Sequence, residues 1–160
     1  MFVKDYNIDA FFCHEIDYNI KEVFYSTSGP GTIRGLHYQT IKPQAKLVRC
    51  IKGKIYDVIV DIRPTSKSAG KWIGLILSEK NYKAVLIPPG FAHGFLAIEE
   101  SIVSYKCDET FMPEGDSGVF YADETLAIDW SKYHSGSFIV SERDIRLPSY
   151  DTVINNVRLI

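Results

Sequence analysis

The stretch KLVRCIKGKIYDVIVDIRP, residues 46–64, decides the fold. β-Branched residues alternate through both of its halves, a composition typical of strands. Gly53 divides the two halves, and we interpret it as the turn of a β-hairpin because glycine is common in such turns. The second half is apolar enough for a buried strand, which ends at Pro64 because proline cannot donate a hydrogen bond to a sheet.

Strand-like runs continue on both sides of this stretch. They read TIRGLHYQ at 32–39, KWIGLILS at 71–78, AVLI at 84–87, and GFLAIEESIVSYKCDE at 94–109, the last as two strands around an acidic turn. Turn signals recur roughly every ten residues, the spacing of an all-β sandwich or barrel. Short helical turns are expected near Glu142–Ile145 and in the last ten residues. The sequence therefore predicts a single domain over residues 1–160, an all-β antiparallel barrel or jelly roll.

Composition excludes several functional classes. Of 160 residues, 46% are hydrophobic, which indicates a packed globule, and the net charge of -2 gives no strong field for nucleic acid or a membrane surface. The longest uncharged apolar runs are shorter than a membrane span, and the opening MFVKDYNIDAFF lacks the order of a signal peptide. The three cysteines, Cys13, Cys50 and Cys107, show no CxxC spacing. We expect a cytoplasmic protein with reduced thiols and no nucleic-acid or membrane partner.

Two histidines have unusual surroundings. TIRGLHYQ places Arg34, His37 and Gln39 within six positions of one strand, although a strand that only packs against a sheet has little need of them. His93 lies in IPPGFAHGF, where two prolines and two glycines fix the backbone. On neighbouring strands, the two imidazoles would face one pocket.

A metal site is the first interpretation of this pair. Zinc and iron require three or four protein ligands. The residue two positions after His37 is Gln39 rather than histidine, and no glutamate follows at four positions. We therefore expect no metal.

Acid–base catalysis is the second interpretation. Histidine titrates near neutrality and can accept a proton at working pH. The nearby cations Arg34, Lys46 and Arg49 could hold phosphates or a developing oxyanion. From these residues alone, a lone histidine in a strand is more often hydrogen-bonded within the core, and basic residues more often form a solvated face. Catalysis stays open as the alternative.

Several separate blocks carry a resemblance to a known family. In chain order they are TIRGLHYQ (32–39), KLVRCIKGKIYDVIVDIR (46–63), GKWIGLILSEKN (70–81), IPPGFAHGFLAI (87–98), SYK (104–106), AIDW (127–130) and IVSERD (139–144). Together they closely resemble the dTDP-4-dehydrorhamnose 3,5-epimerase family. The resemblance implies a cupin-type jelly roll, a homodimer, and an enzyme without a metal or redox cofactor.

The resemblance also implies roles for individual residues. The histidine of RGLH, His37, would be the general base, the last aspartate of SERD, Asp144, its partner, and Tyr105 of SYK the acid. The other candidate residues would contact the substrate: Arg34, Lys46, His93, Gln39, Phe12 and Phe111. Phe12 and Phe111 could sandwich a nucleobase, since any base offers a π-face.

The first thirty residues depart from the family pattern. Asp9 and Ala10 stand where members usually carry an Arg-Gly pair that reaches the nucleotide of a partner subunit. Glu22 and Phe24 stand near a Gln-x-Asn pattern that helps to hold the substrate, and Phe111 stands where tyrosine is common. The catalytic end is therefore intact and the nucleotide end is altered.

These observations predict an isomerase acting on a nucleotide-diphosphate sugar. It would invert C3, C5 or both carbons of a 4-keto-6-deoxyhexose by proton transfer through an enolate, and the nucleotide and hexose stay open. A sugar-nucleotide 3,4-ketoisomerase on the same scaffold is one alternative function. A non-catalytic sugar-nucleotide binding module is the other.

Overall fold

The structure, a computed structural model, describes residues 2–158. Ten strands carry the fold. In chain order they are β1 (Glu22–Ser28), β2 (Thr32–Gln39), β3 (Lys46–Lys52), β4 (Lys54–Asp61), β5 (Trp72–Ser78), β6 (Ala84–Ile87), β7 (Phe91–Ala97), β8 (Ser101–Cys107), β9 (Asp116–Gly118) and β10 (Ile139–Val140).

The strands form two sheets. One sheet has the order β1-β8-β3-β6, and the other has the order β10-β2-β7-β4-β5, with β9 also paired to β2. Every pairing is antiparallel except that of β10 with β2. The prediction of an all-β antiparallel fold with a few short helices is confirmed.

The predicted hairpin at Gly53 is wrong. β3 and β4 belong to different sheets, so Gly53 is the corner at which the chain crosses from one sheet to the other. Its φ is +75°, and a Cβ atom there would lie 2.1 Å from the carbonyl oxygen of Glu100. Glu100 lies in the turn between β7 and β8, which also changes sheets. Two corners therefore pack against each other, and only glycine allows that approach.

The apolar residues form three layers around these sheets. A cluster between the sheets draws on both of them, with Val48 and Val103 from one sheet and Ile55 and Phe95 from the other. A second cluster joins the outer face of the larger sheet to the C-terminal segment, and a third joins the smaller sheet to the N-terminal segment. Tyr105, one of the predicted site residues, is a member of the inter-sheet cluster, so the candidate site adjoins this part of the core.

Three short α-helices flank the strands. They are α1 (Ile8–Cys13), α2 (Glu142–Ile145) and α3 (Tyr150–Asn156). The helical turns expected near Glu142–Ile145 and in the last ten residues are present as α2 and α3, although residues 159 and 160 lie outside the described part. The helix α1 was not expected. None of the helices in residues 2–158 combines the length and apolar character needed to cross a membrane.

Candidate active site

An inner cavity of about 190 Å³ lies at the end of the inter-sheet core. Both sheets contribute to its wall, so residues far apart in the sequence meet there. Five of the residues predicted for the site line it: Arg34, His37, Lys46, His93 and Tyr105. The lining is completed by Phe24, Ser26, Gly94 and Phe95.

Two glycines place the histidines side by side. His37 on β2 and His93 on β7 are register partners, and the register shifts between Arg34 and His37. A Cβ atom on Gly35 would lie 2.6 Å from the Cα atom of Gly94. The glycines of the RGLH and AHGF blocks therefore allow a close backbone approach that no larger residue permits.

His37 is oriented by a buried carboxylate. Its Nε2 atom lies 2.8 Å from Oδ1 of Asp144, and Oδ2 of Asp144 accepts a hydrogen bond of 3.1 Å from the Gly35 amide. Ser141 caps α2 by accepting from the Asp144 amide, which fixes this carboxylate on the first turn. Burial by itself raises the pKa of Asp144, but the hydrogen bonds and charge of His37, with the Gly35 amide, bring that pKa below its ordinary value.

His93 has its own carboxylate partner. Its Nε2 atom lies 2.7 Å from Oδ1 of Asp57, and both side chains are almost fully buried. The second oxygen of Asp57 has no hydrogen-bond partner among residues 2–158. Asp57 was not among the predicted site residues. A signal was present, because a lone aspartate in an apolar strand must find a partner when it is buried.

Tyr105 lies on the opposite sheet from the two histidines. It is 8% exposed, and its ring is stacked on Phe24 with centroids 4.7 Å apart and planes at 13°. Phe24 and Tyr105 are register partners of β1 and β8. Burial raises the pKa of the Tyr105 hydroxyl well above its ordinary value. The phenol is therefore protonated at neutral pH and can act as a proton donor.

Two basic side chains border the same cavity. Burial lowers the pKa of Lys46, which has no ion-pair partner in the described part of the chain. Arg34 is held at the rim, because its Nε donates to Ser28 Oγ at 2.8 Å and one terminal nitrogen donates to the Thr27 carbonyl at 3.0 Å. Both can meet a negative charge that develops in the cavity.

An outer cavity of about 350 Å³ adjoins the inner one. The two cavities share Phe24, His37 and Lys46. The outer cavity adds Phe111, whose ring is half-exposed, and four polar residues: Glu22, Gln44, Asp116 and Arg143. Two adjoining cavities suit a ligand with a reacting end and a second, bulky end.

Charges in the outer cavity nearly cancel. Arg143 forms an ion pair with Asp116, and Oε2 of Glu22 accepts a hydrogen bond of 3.0 Å from the Phe111 amide. Lys46 and Arg143 supply two positive charges against the two carboxylates. The net charge of the outer cavity is therefore close to zero, whereas a site that binds only a diphosphate would carry an excess of basic side chains.

Gln39, which was predicted to contact the substrate, lines neither cavity. Its Nε2 atom donates to the carbonyl oxygen of Lys42 at 2.9 Å, and its Oε1 atom accepts from the Met112 amide at 2.8 Å. Its side chain is buried beside these loops. The amide group therefore holds together the loops on either side of the outer cavity, since it satisfies backbone groups of both.

Phe12 also lines neither cavity. It lies on α1 with 80% of its surface exposed, whereas its neighbour Phe11 packs against Tyr18. Within one chain, Phe111 is thus the candidate for stacking on a nucleobase and Phe12 is not placed to join it.

Several lining residues were not among the predicted site residues, although Glu22 and Phe24 stand near the family's substrate-holding pattern. The alternation of a strand gives the signal for one group of them, because every second residue of β1 shares a face. That group is Glu22, Phe24 and Ser26. No set of three or more His, Cys, Asp or Glu side chains within residues 2–158 is arranged to hold a metal ion.

Comparison with known proteins agrees with this geometry. The family model described as dTDP-4-dehydrorhamnose 3,5-epimerase matches residues 1–152. The chain belongs to this family. The match includes the first thirty residues, so the departures at Asp9, Ala10, Glu22 and Phe24 are changes of individual residues within a shared segment.

Curated relatives carry the same description. A dTDP-4-dehydrorhamnose 3,5-epimerase from Methanothermobacter thermautotrophicus is 50% identical over 120 residues, 74% of this chain. That alignment covers 65% of the archaeal protein, so the chain spans a little under two thirds of its length. The Escherichia coli protein of the same description is 41% identical over 157 residues, 96% of this chain and 83% of its own.

A solved structure extends the comparison to the fold. The dTDP-4-dehydrorhamnose 3,5-epimerase of Bacillus anthracis, with TDP and PPi bound, superposes with a TM-score of 0.87 at 41% identity. The superposition covers 92% of this chain and 85% of that one. These findings confirm the predicted family, the cupin-type fold and the assignment to the isomerases.

Proposed function

We propose that this chain inverts C3 and C5 of a TDP-linked 4-keto-6-deoxyhexose. The observation that carries the proposal is the meeting of His37, backed by Asp144, with Tyr105 in one cavity whose two sides come from different sheets. The relatives' names and the TDP bound to the Bacillus anthracis enzyme support the substrate class.

Proton removal begins the reaction. The C–H bonds at C3 and C5 are acidic because each carbon is adjacent to the C4 carbonyl. His37 accepts the proton through Nδ1, since Asp144 already holds Nε2, and the electron pair of the broken C–H bond moves into an enolate. Asp144 stabilises the imidazolium and fixes the ring, as a carboxylate does for a catalytic histidine in other enzymes.

The enolate oxygen needs positive or hydrogen-bonding neighbours. Lys46, Arg34 and His93 line the cavity and supply them. Tyr105 then donates its phenolic proton to the carbon from the opposite face, which inverts the centre. Its raised pKa keeps that proton in place until a carbanion-like carbon develops beside it.

The outer cavity is the proposed nucleotide site. Phe111 presents a half-exposed ring on which a nucleobase can stack, and Arg143 can contact a phosphate oxygen.

The homodimer implied by the family resemblance stays a prediction. Sedimentation of the full chain would test it.

Solvent deuterium exchange tests the proposed function. The enzyme is incubated with TDP-4-keto-6-deoxyglucose in D₂O, and label at C3 and C5 is followed by NMR. We expect exchange at both carbons, and a loss of about 1,000-fold or more in the His37→Asn variant with unchanged TDP affinity. Exchange that is unaffected by this substitution would remove His37 from the role of base.

A second pair of variants separates the acid from the base. Tyr105→Phe should still release the first proton into solvent but should invert the centre far more slowly. Tyr25→Phe, on the exposed face of β1, is the matched control and should behave as the wild type. Equal rates of inversion in the two variants would exclude Tyr105 as the acid.

The alternative functions are distinct outcomes of the same experiment. A 3,4-ketoisomerase would give a 3-keto product, which the NMR spectrum distinguishes from a 4-keto epimer. A binding module would bind TDP without any exchange. Label at only one carbon would make the chain a single-centre epimerase.

A further inference from the structure

Phe24 forms the boundary between the two cavities. It lines both of them, 43% of its surface is exposed, and it projects from β1 on the same face as Ser26 and Glu22. One face of its ring is covered by the stacked ring of Tyr105. A ligand that occupies both cavities must therefore pass the remaining face and edge of this ring.

The position of Phe24 identifies the part of the substrate that it meets. Under the proposed function, C3, C4 and C5 lie in the inner cavity and the nucleoside diphosphate lies in the outer one. The atoms that join these two parts are C1, C2 and the ring oxygen. Of these, only C2 carries a hydroxyl group in an ordinary hexose.

The other two residues shared by the cavities have assigned roles. His37 removes a proton and Lys46 faces the enolate oxygen. Lys46 lies on β3, and β8 separates β3 from β1, so Phe24 and Lys46 are two strands apart, about 10 Å. A group at C2 that is directed towards β1 consequently faces the aromatic ring of Phe24, on the side of the cavity away from β3.

An aromatic wall discriminates between a hydroxyl and a hydrogen at that carbon. A hydroxyl group buried against the ring loses water without gaining a hydrogen-bond partner, whereas a CH₂ group packs well on a π-face. An amide side chain at this position would instead donate to or accept from the hydroxyl. On the outer-cavity side of Phe24, Oε2 of Glu22 accepts the Phe111 amide. On the inner-cavity side, Ser26 Oγ has no hydrogen-bond partner among residues 2–158, and it faces the atoms that lie deeper than C2.

We infer that Phe24 makes this site select a nucleotide-linked 4-keto sugar that lacks the C2 hydroxyl group, a 2,6-dideoxyhexose. The inference rests on the proposed function and narrows its substrate class. The selectivity should be about tenfold or more in kcat/KM, the scale on which an apolar pocket separates substrates that differ by one small group.

The test compares two substrates with three forms of the enzyme. TDP-4-keto-6-deoxyglucose and its 2-deoxy analogue are each given to the wild type, Phe24→Asn and Phe24→Leu, and kcat/KM is measured from deuterium uptake. The ratio of the two values within one preparation does not depend on the fraction of active enzyme. Reduced folding of a variant therefore cannot produce the expected result.

The wild type should favour the 2-deoxy sugar by about tenfold or more. Phe24→Asn should shift the ratio by a similar factor towards the hydroxylated sugar. Phe24→Leu should keep the preference, because leucine is also apolar, while its kcat falls because Tyr105 loses its stacked neighbour.

Two results would overturn the inference alone: a wild type that favours the hydroxylated sugar, or a ratio that is the same in wild type and Phe24→Asn. If neither sugar exchanges with solvent although TDP binds, the proposed function fails and the inference fails with it. The exchange measurement on the wild type thus separates the two failures.

Discussion

The inner and outer cavities are built differently although they share three residues. In the inner cavity, both imidazoles are held by buried carboxylates, at 2.8 Å and 2.7 Å. In the outer cavity, the phenyl ring of Phe111 is half-exposed and the Arg143–Asp116 pair lies near the surface. Under the proposed function, proton transfer would use the fixed groups of the inner cavity, and nucleotide binding would use the more exposed groups of the outer one.

The two histidine pairs of the inner cavity also differ from each other. His37 has 28% of its side-chain surface exposed, whereas His93 has 5%. Under the proposed function, His37 is therefore the histidine that exchanges a proton with a bound ligand and returns it to solvent. His93 is a fixed polar group whose position depends on Asp57. The predictions below test this division, from the largest expected effect to the smallest.

Asp144→Asn should produce the largest effect on turnover. The asparagine amide would hold the wrong tautomer of His37 and could not stabilise its charged form, so kcat/KM should fall on the order of 10,000-fold. The rate of deuterium uptake at C3 and C5 measures the loss, with TDP affinity as the control for folding. A loss of less than about tenfold would show that His37 does not depend on this carboxylate.

Asp57→Asn should affect stability more than chemistry. Asp57 and His93 form a buried hydrogen-bonded pair, and replacing one member of such a pair should lower the free energy of unfolding by about 3 kcal/mol. Turnover should fall only about tenfold, since His93 would still reach the cavity. Urea unfolding of both aspartate variants measures the difference. If Asp57→Asn lost as much turnover as Asp144→Asn, the division between the two histidines would be wrong.

The unfolding free energies of the wild type and of Asp144→Asn should depend differently on pH. The pKa of Asp144 is depressed in the folded state, so its carboxylate stabilises the fold above the ordinary pKa of about 3.9, and this contribution disappears as pH falls through the folded value. Asparagine does not titrate. The gap in unfolding free energy between wild type and Asp144→Asn should therefore narrow from pH 5 to pH 3. A gap that widens in this range would contradict the depressed pKa.

The strands β2 to β8 could be predicted from the sequence, whereas β1, β9 and β10 were not expected and the partners of each strand could not be predicted. β3 and β4 lie where their alternation places them, yet the same alternation fits a hairpin and a corner. The corner is distinguished from a hairpin by the close approach of Gly53 to Glu100, a residue 47 positions away in the sequence. Local spacing carries no information about such a contact.

The site shows the same limit. His37 could be singled out because its polar neighbours have no purpose in a packed strand. Asp57 stands out as a lone aspartate in an apolar strand, but its partner could not be named, because His93 is 36 positions away. Gln39 has the same polar character as a substrate contact, but its amide is used by backbone groups of two loops. A side chain's polarity does not reveal whether its partner will be a ligand or the chain itself.

Glu22→Gln should give the smallest effect, and it concerns the outer cavity. The glutamine oxygen can still accept the Phe111 amide, so the substitution removes a charge and keeps the hydrogen bond. Loss of this negative charge near a diphosphate should tighten TDP binding by about two- to fivefold, the range expected of a partly exposed charge. Calorimetry at 50 mM and at 500 mM salt measures it, and the gain should shrink at high salt because charges are screened within about 10 Å. Glu124→Gln, an exposed carboxylate outside both cavities, is the matched control. Weaker binding in Glu22→Gln would mean that this carboxylate contacts the ligand directly, and the outer cavity would then be as specific as the inner one.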